Sequence, residues 1–313
     1  AGDDAGLREA LGVDFVGVTP PYIVPKRHAD IPERGVMVNE WGIHMRWIEH
    51  ASGGCCDFSL QNATEEEVAA WPMPTADECD YGWVTAQCAA HQDKALYVGH
   101  AGIADVINTN GMLRGMEQTL VDLITDDPAG LLLARRRVDV QVGMLERAIE
   151  AAKGQLTFVW MGEDLGTQIA PIVAMDLYRR NIKRLHERIV AVAKAYDVPV
   201  MIHTCGSSSW AYEEFIGMGI RAVDTLQPEA VNMASEYLKR TFGRRLVFHG
   251  CISTAGPVAT GTVEEARAYC ERTLEIMMPG GGYCFAPRHC LQDNTPTENV
   301  VAMYEVAREK GRY

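Results

Sequence analysis

The stretch Val198-Pro199-Val200-Met201-Ile202-His203-Thr204-Cys205-Gly206 decides the fold. Five apolar or imino residues in a row, with no polar alternation, read as a strand buried on both faces, as parallel strands are. The run ends abruptly in His-Thr-Cys-Gly, a set of polar and metal-type side chains at the strand's C-terminal end. Upstream, apolar residues at Ile182, Leu185, Ile189, Val192, Ala193 and Tyr196 recur at helical spacing, and the opposite face is charged. A helix followed by a buried strand is one βα repeat, and the same rhythm extends in both directions. Strands are predicted over Leu96–His100, Leu156–Met161, Ala222–Leu226, Leu246–His249 and Tyr283–Ala286. Helices are predicted over about Pro128–Lys153, Pro228–Thr241, Val263–Met277 and Thr297–Lys310. Alternating strands and helices imply parallel strands joined by right-handed crossovers.

Six such strands fit either a (β/α)8 TIM barrel or an open doubly wound sheet. No glycine-rich phosphate fingerprint opens a helix, which disfavours the dinucleotide-binding version. A barrel needs two more strands, and one is expected in a segment before Ala1. The region Phe15–Asp57 differs. Val36–Trp47 alternates loosely, with Gly35, Gly42 and Gly53 offering turns, so a small β-rich insertion is expected there. Trp71-Pro72-Met73-Pro74 breaks the chain. The expectation is one domain over 1–313, with 1–75 as a β-rich or irregular portion and 76–313 as barrel body.

A length of 313 residues with 47% hydrophobic and 23% charged residues suits a large α/β domain with a sizeable core. The net charge of −13 repels phosphate backbones, so nucleic acid is not an expected partner. No apolar run reaches the length of a membrane span, and Ala1-Gly2-Asp3-Asp4 has no signal-peptide character. Nine cysteines form no disulfide framework; the chain reads as cytoplasmic with its thiols reduced and available as ligands.

In an α/β barrel the strand C-termini form the catalytic face. Residues two apart on an extended strand point to one side, so His203 and Cys205 would both face it. An imidazole nitrogen and a thiolate so placed can share a zinc ion; the alternative is a buried His and a small apolar Cys, each satisfied locally. The last strand delivers His289 and Cys290, of which only one would face the mouth. Glu163 and Asp164 follow another strand and could add an oxygen ligand or act as general acid or base; helix capping is the competing role. Gln227 is a candidate hydrogen-bond donor to substrate. His100 could contact substrate, against the competing role of a satisfied polar residue; Cys251 could be a mouth-facing thiol, against a structural role in a turn leading to a helix; Cys284 is read as core, and Cys55-Cys56 as loop structure.

Several runs resemble the uroporphyrinogen decarboxylase superfamily: Gly162-Glu163-Asp164-Leu165-Gly166-Thr167-Gln168, His203-x-Cys205-Gly206, Gln227-Pro228-Glu229-Ala230, Ala286-Pro287-x-His289, Thr295-Pro296-x-Glu298-Asn299-Val300 and Ala302-Met303-Tyr304-Glu305. The resemblance covers nearly the whole chain from Leu7 onward. It implies a (β/α)8 barrel, often dimeric, so a homodimer is expected. It also implies that the first barrel strand lies in residues that precede this position in family members. The methyltransferase branch carries a zinc site of the pattern His-x-Cys followed much later by a third ligand, usually Cys. His203 and Cys205 match its first two positions; the third falls on His289, with Cys290 beside it. The resemblance therefore implies a zinc-dependent methyltransferase (a demethylase in one direction). It would move a methyl group between a small methyl ether, methylamine or thiol and a corrinoid (cobalamin) on a partner protein. The competing expectations are a metal-independent decarboxylase of tetrapyrrole carboxylates and a non-catalytic member of the fold.

Overall fold

The structure, a computed structural model, describes residues 4–47 and 54–313. Its strands are β1 (Phe15–Gly17), β2 (Val36–Val38), β3 (His44–Arg46), β4 (Gly54–Asp57), β5 (Ala95–Gly99), β6 (Phe158–Gly162), β7 (Val200–His203), β8 (Ala222–Leu226), β9 (Val247–Ile252) and β10 (Tyr283–Pro287). Seven of them form one sheet in the order β1-β5-β6-β7-β8-β9-β10, and β2-β3-β4 form a second, antiparallel sheet. The pairs β5–β6, β7–β8, β8–β9 and β9–β10 are parallel. Along the main sheet the strand order never reverses. A doubly wound sheet reverses at its switch point, so the ordering is that of a TIM-barrel-like winding. Among the described residues no helix is long and apolar enough to cross a membrane.

Contacts divide the chain into two compact units. One comprises Val16–Asp164 and Val173–Val200. Its long helix, Pro128–Ala152, starts on an Asp127 side chain that accepts the Gly130 amide, with Pro128 in the first turn where its missing N–H costs nothing. Ala129 and Leu133 of that helix pack with Ile43, Leu60, Val68, Met73 and Leu113 into a core under the three-stranded sheet. The β-rich character expected before residue 75 is present in β2–β4, but Phe15–Gly17 belongs to the main sheet and supplies a strand that the six-strand reading lacked.

The other unit comprises Ala1–Phe15, Leu165–Ile172 and Met201–Tyr313. Helix Val263–Met277 begins with a reciprocal capping box between Thr262 and Glu265. The helix expected from Pro228 begins only at Ser235. The intervening amides are committed elsewhere: Ala230 N–H donates to the Gln227 carbonyl, and Val231 N–H donates to the Gln168 carbonyl. These bonds tie the segment to the 165–172 loop.

That loop also lies against the turn after β7. A Cβ on Gly206, whose φ is +69°, would sit 2.1 Å from the Gly166 carbonyl oxygen, and one on Gly166 would sit 2.3 Å from the Ser207 amide nitrogen. Only two glycines permit this backbone approach. A Gly206→Ala variant combines a left-handed φ with a backbone clash and is expected to lose about 2–4 kcal/mol of stability. Urea unfolding with an unchanged m-value would check it.

Candidate metal centre

The site grows from the end of β7. His203 Nε2 and Cys205 Sγ are 3.5 Å apart. Two tetrahedral ligands of one zinc ion, with Zn–N of about 2.0–2.1 Å and Zn–S of about 2.3 Å, are separated by about 3.6 Å. The pair therefore has a spacing that two ligands of one zinc ion could adopt.

The other face of the His203 ring is occupied. Nδ1–H points to Asp224 Oδ2 at 3.1 Å and Thr225 Oγ1 at 2.6 Å. A carboxylate can only accept, so the proton sits on Nδ1 and leaves the Nε2 lone pair facing Cys205. Neighbouring residues of a regular strand point to opposite faces, yet Asp224 and Thr225 both reach His203. The end of β8 makes this geometry: its pairing with β9 shifts register between Val223 and Leu226, and Thr225 has φ of +64°. Bulges re-aim side chains in this way.

Asp224 is buried and has further partners: Oδ1 accepts His249 Nδ1–H at 2.6 Å and the Thr225 amide at 2.6 Å. Burial opposes its ionisation, but hydrogen bonds from His203 and His249 outweigh this and hold the carboxyl well below the usual carboxylate range. The His249 ring stacks on Phe15, centroids 5.2 Å apart. Asp224, Thr225 and His249 are absent from the residues that motif reading singles out. They lie inside predicted strands, where a polar residue gives little local signal.

The remaining expected residues take several separate roles. The His289 ring stands 6.5 Å from that of His203, edge towards face, and is solvent-exposed, as is Cys290. Gln227 is buried; its Oε1 accepts the Gly206 amide at 3.2 Å and its Nε2 donates to Gln168 Oε1 at 2.7 Å. It braces the turn that carries Cys205. Cys251, expected in a turn, continues β9 instead. It is buried with φ of +68°, and burial pushes its thiol up to about 12. Cys55 and Cys56 lie in β4, with thiols directed at backbone carbonyls of Met112 and His44. His100 Nδ1 accepts the Gly102 amide.

Glu163 and Asp164 separate in role. Glu163 is fully buried; Oε2 accepts the Val106 amide at 2.9 Å and Oε1 the Ile107 amide at 3.0 Å, at the start of helix Ile107–Arg114. His186 Nε2 lies 3.4 Å from Oε2, and Tyr178 Oη lies 3.2 Å from His186 Nδ1. Burial pushes Glu163 up to about 8 against the pull of those amides, and lowers His186 to about 4. Asp164 is half-buried and accepts the Asn108 side-chain amide at 2.8 Å. Both Glu163 oxygens are engaged by backbone amides.

His186 gives a pH signature. Its folded-state pKa is depressed from 6.5 to about 4, so the stability it contributes is present above about pH 6.5 and is lost as pH falls through about 4. Glu163, being raised, acts with the opposite sign, losing its contribution as pH rises through about 8. A His186→Gln variant should show a shallower fall in unfolding free energy between about pH 6.5 and 4 than the parent, measured by urea titration across that window.

Residues 104–310 match the family described as Uroporphyrinogen decarboxylase (URO-D). No curated protein matches in sequence. Among solved structures the chain is similar to a methyltransferase from Methanosarcina mazei, with TM-score 0.62 and 16% identity over 98% of this chain and 84% of that one. At that identity the likeness speaks for the fold.

Proposed function

The chain belongs to the uroporphyrinogen decarboxylase family, and within it we propose a zinc-dependent methyltransferase that moves a methyl group between a small substrate and a corrinoid carried by a partner protein. The observation that carries this reading is the His203 Nε2–Cys205 Sγ separation of 3.5 Å, with Nδ1 held by Asp224. Metal-ligating histidines characteristically donate their second N–H to a carboxylate or carbonyl. A metal-independent decarboxylase has no task for such a pair.

We assign His203 and Cys205 as the first two ligands. His289, whose ring already stands beside that of His203, is assigned as the third ligand in preference to Cys290, and Asp164 is kept as the oxygen donor that its place after a strand end suggests. Gln227 and Glu163 are positioning residues in this scheme. Zinc bound there supplies Lewis acidity, holding a thiol acceptor as thiolate or polarising the oxygen of a methyl ether. The chain's own residues fix the ligand geometry: Asp224 selects the tautomer of His203, and the Gln227–Gly206 bond holds the turn bearing Cys205. The structural likeness to a methyltransferase supports the methyl-transfer part of this reading.

Elemental analysis of the purified protein should find about one zinc per chain, lost in a Cys205→Ser variant that remains folded by circular dichroism. The zinc-loaded protein should then transfer methyl groups to or from a corrinoid protein. Wild-type protein that takes up no zinc when supplied with it would overturn the proposal.

A further inference from the structure

Burial strips water from a guanidinium and leaves its N–H groups in need of acceptors. At Arg288 that need is unmet. The side chain is only 17% exposed, Nε is fully enclosed, and among the described residues none accepts a hydrogen bond from the guanidinium. It faces one carboxylate, Glu229, whose Oε2 lies 3.6 Å from Nε, an ion pair beyond hydrogen-bond range. Two more exposed arginines of the same unit contrast with it. Arg245 is forked onto Glu213, and Arg267 donates to Glu305 and Glu309. The enclosed guanidinium is the one whose donors are left over.

Its place in the fold is informative. Arg288 directly follows β10, and its amide donates to the Ile252 carbonyl at the end of β9 at 2.8 Å. Its side chain reaches Glu229 in the turn after β8. The residue therefore spans the ends of three neighbouring strands, one position before His289. The loops after the last two strands of a TIM barrel frequently hold a phosphate group, and β9 and β10 are the last two strands of this sheet. Arg288 also stands at the variable position of the run Ala286-Pro287-x-His289, so the family resemblance does not account for it.

We propose that Arg288 forms an oxyanion-binding subsite at the ends of β9 and β10, which takes a carboxylate or phosphate group carried by the small substrate. For the identity of that substrate the inference rests on the methyl-transfer reading above, which it narrows to molecules with an anionic end. A guanidinium presents parallel N–H groups that match two oxygens of either anion, a geometry that a lysine ammonium lacks. An incoming oxyanion would replace a single unbonded ion pair by two charge-assisted hydrogen bonds. Glu229, 41% exposed, is free to turn to solvent as this happens.

The test titrates the zinc-loaded, isotope-labelled full chain with inorganic phosphate and, separately, with acetate, following arginine Nε–H resonances by NMR. An enclosed Nε–H exchanges slowly with water and stays visible; its absence from an Arg288→Gln variant assigns it. That resonance should shift saturably, and the preferred probe tells a phosphate ester from a carboxylate as the natural group. Anion affinity, read by calorimetry, should fall roughly tenfold or more in Arg288→Gln, with zinc content unchanged. No shift with either anion, or an unchanged affinity in the variant, would overturn the inference. Should Arg288→Gln fail to fold, Glu229→Gln decides: loss of the competing carboxylate should tighten anion binding several-fold, and unchanged affinity would overturn the subsite. Zinc content is measured separately. Zinc without an anion response overturns this inference alone; an anion response without zinc overturns the metal reading, and with it the assignment of the anion to a methyl substrate.

Discussion

The hydrogen bond from His203 Nδ1 to Asp224 is the constraint on which the site depends. An imidazole free to rotate offers either nitrogen to a metal; one pinned through Nδ1 offers Nε2 in a single direction. The pinning is strong because it is charge-assisted: a buried carboxylate accepts from two imidazoles and a backbone amide. Charge-assisted bonds contribute about 1.5–3 kcal/mol each, whereas an unpaired buried carboxylate would cost several. The network is therefore stable only when complete, and completeness locks both rings.

Building it requires unusual backbone. Thr225 and Cys251 both have positive φ, and so does Gly250, which pairs with Leu226 where the β8–β9 register shift ends. A non-glycine residue in that region costs about 1–3 kcal/mol, a sum comparable with the bonds the Asp224 cluster gains. Strand ends can absorb this where strand centres cannot, because the ladder bonds are ending there anyway. The cost is incurred at Thr225, where the bend turns two consecutive side chains onto one histidine.

The two consecutive carboxylates, Glu163 and Asp164, show how neighbours in sequence acquire opposite tasks. Glu163 turns inward to the Val106 and Ile107 amides, where burial favours its protonated form. Asp164 turns to the Asn108 side-chain amide and stays half-buried. Alternation along an extended chain makes one of two adjacent residues face inward; which one does so depends on the helix start that Glu163 meets.

By itself the sequence determined the alternation of strands and helices, because buried parallel strands are continuous apolar runs and amphipathic helices keep a 3.6 period. It also marked His203-x-Cys205, since a two-residue spacing at a strand end puts both side chains on one side wherever the strand lies. It left β1 unrecognised, three residues being too short to carry a pattern, and extended the helix before Ser235 through amides that the 165–172 loop claims. Only the tertiary structure decided that the strand order does not reverse, that Gln227 braces the Cys205 turn, and that Asp224, Thr225 and His249 gather around His203. Those residues come from separate strands, and the bend at Thr225 that unites them arises from sheet register, a long-range property that no local pattern of residue types encodes.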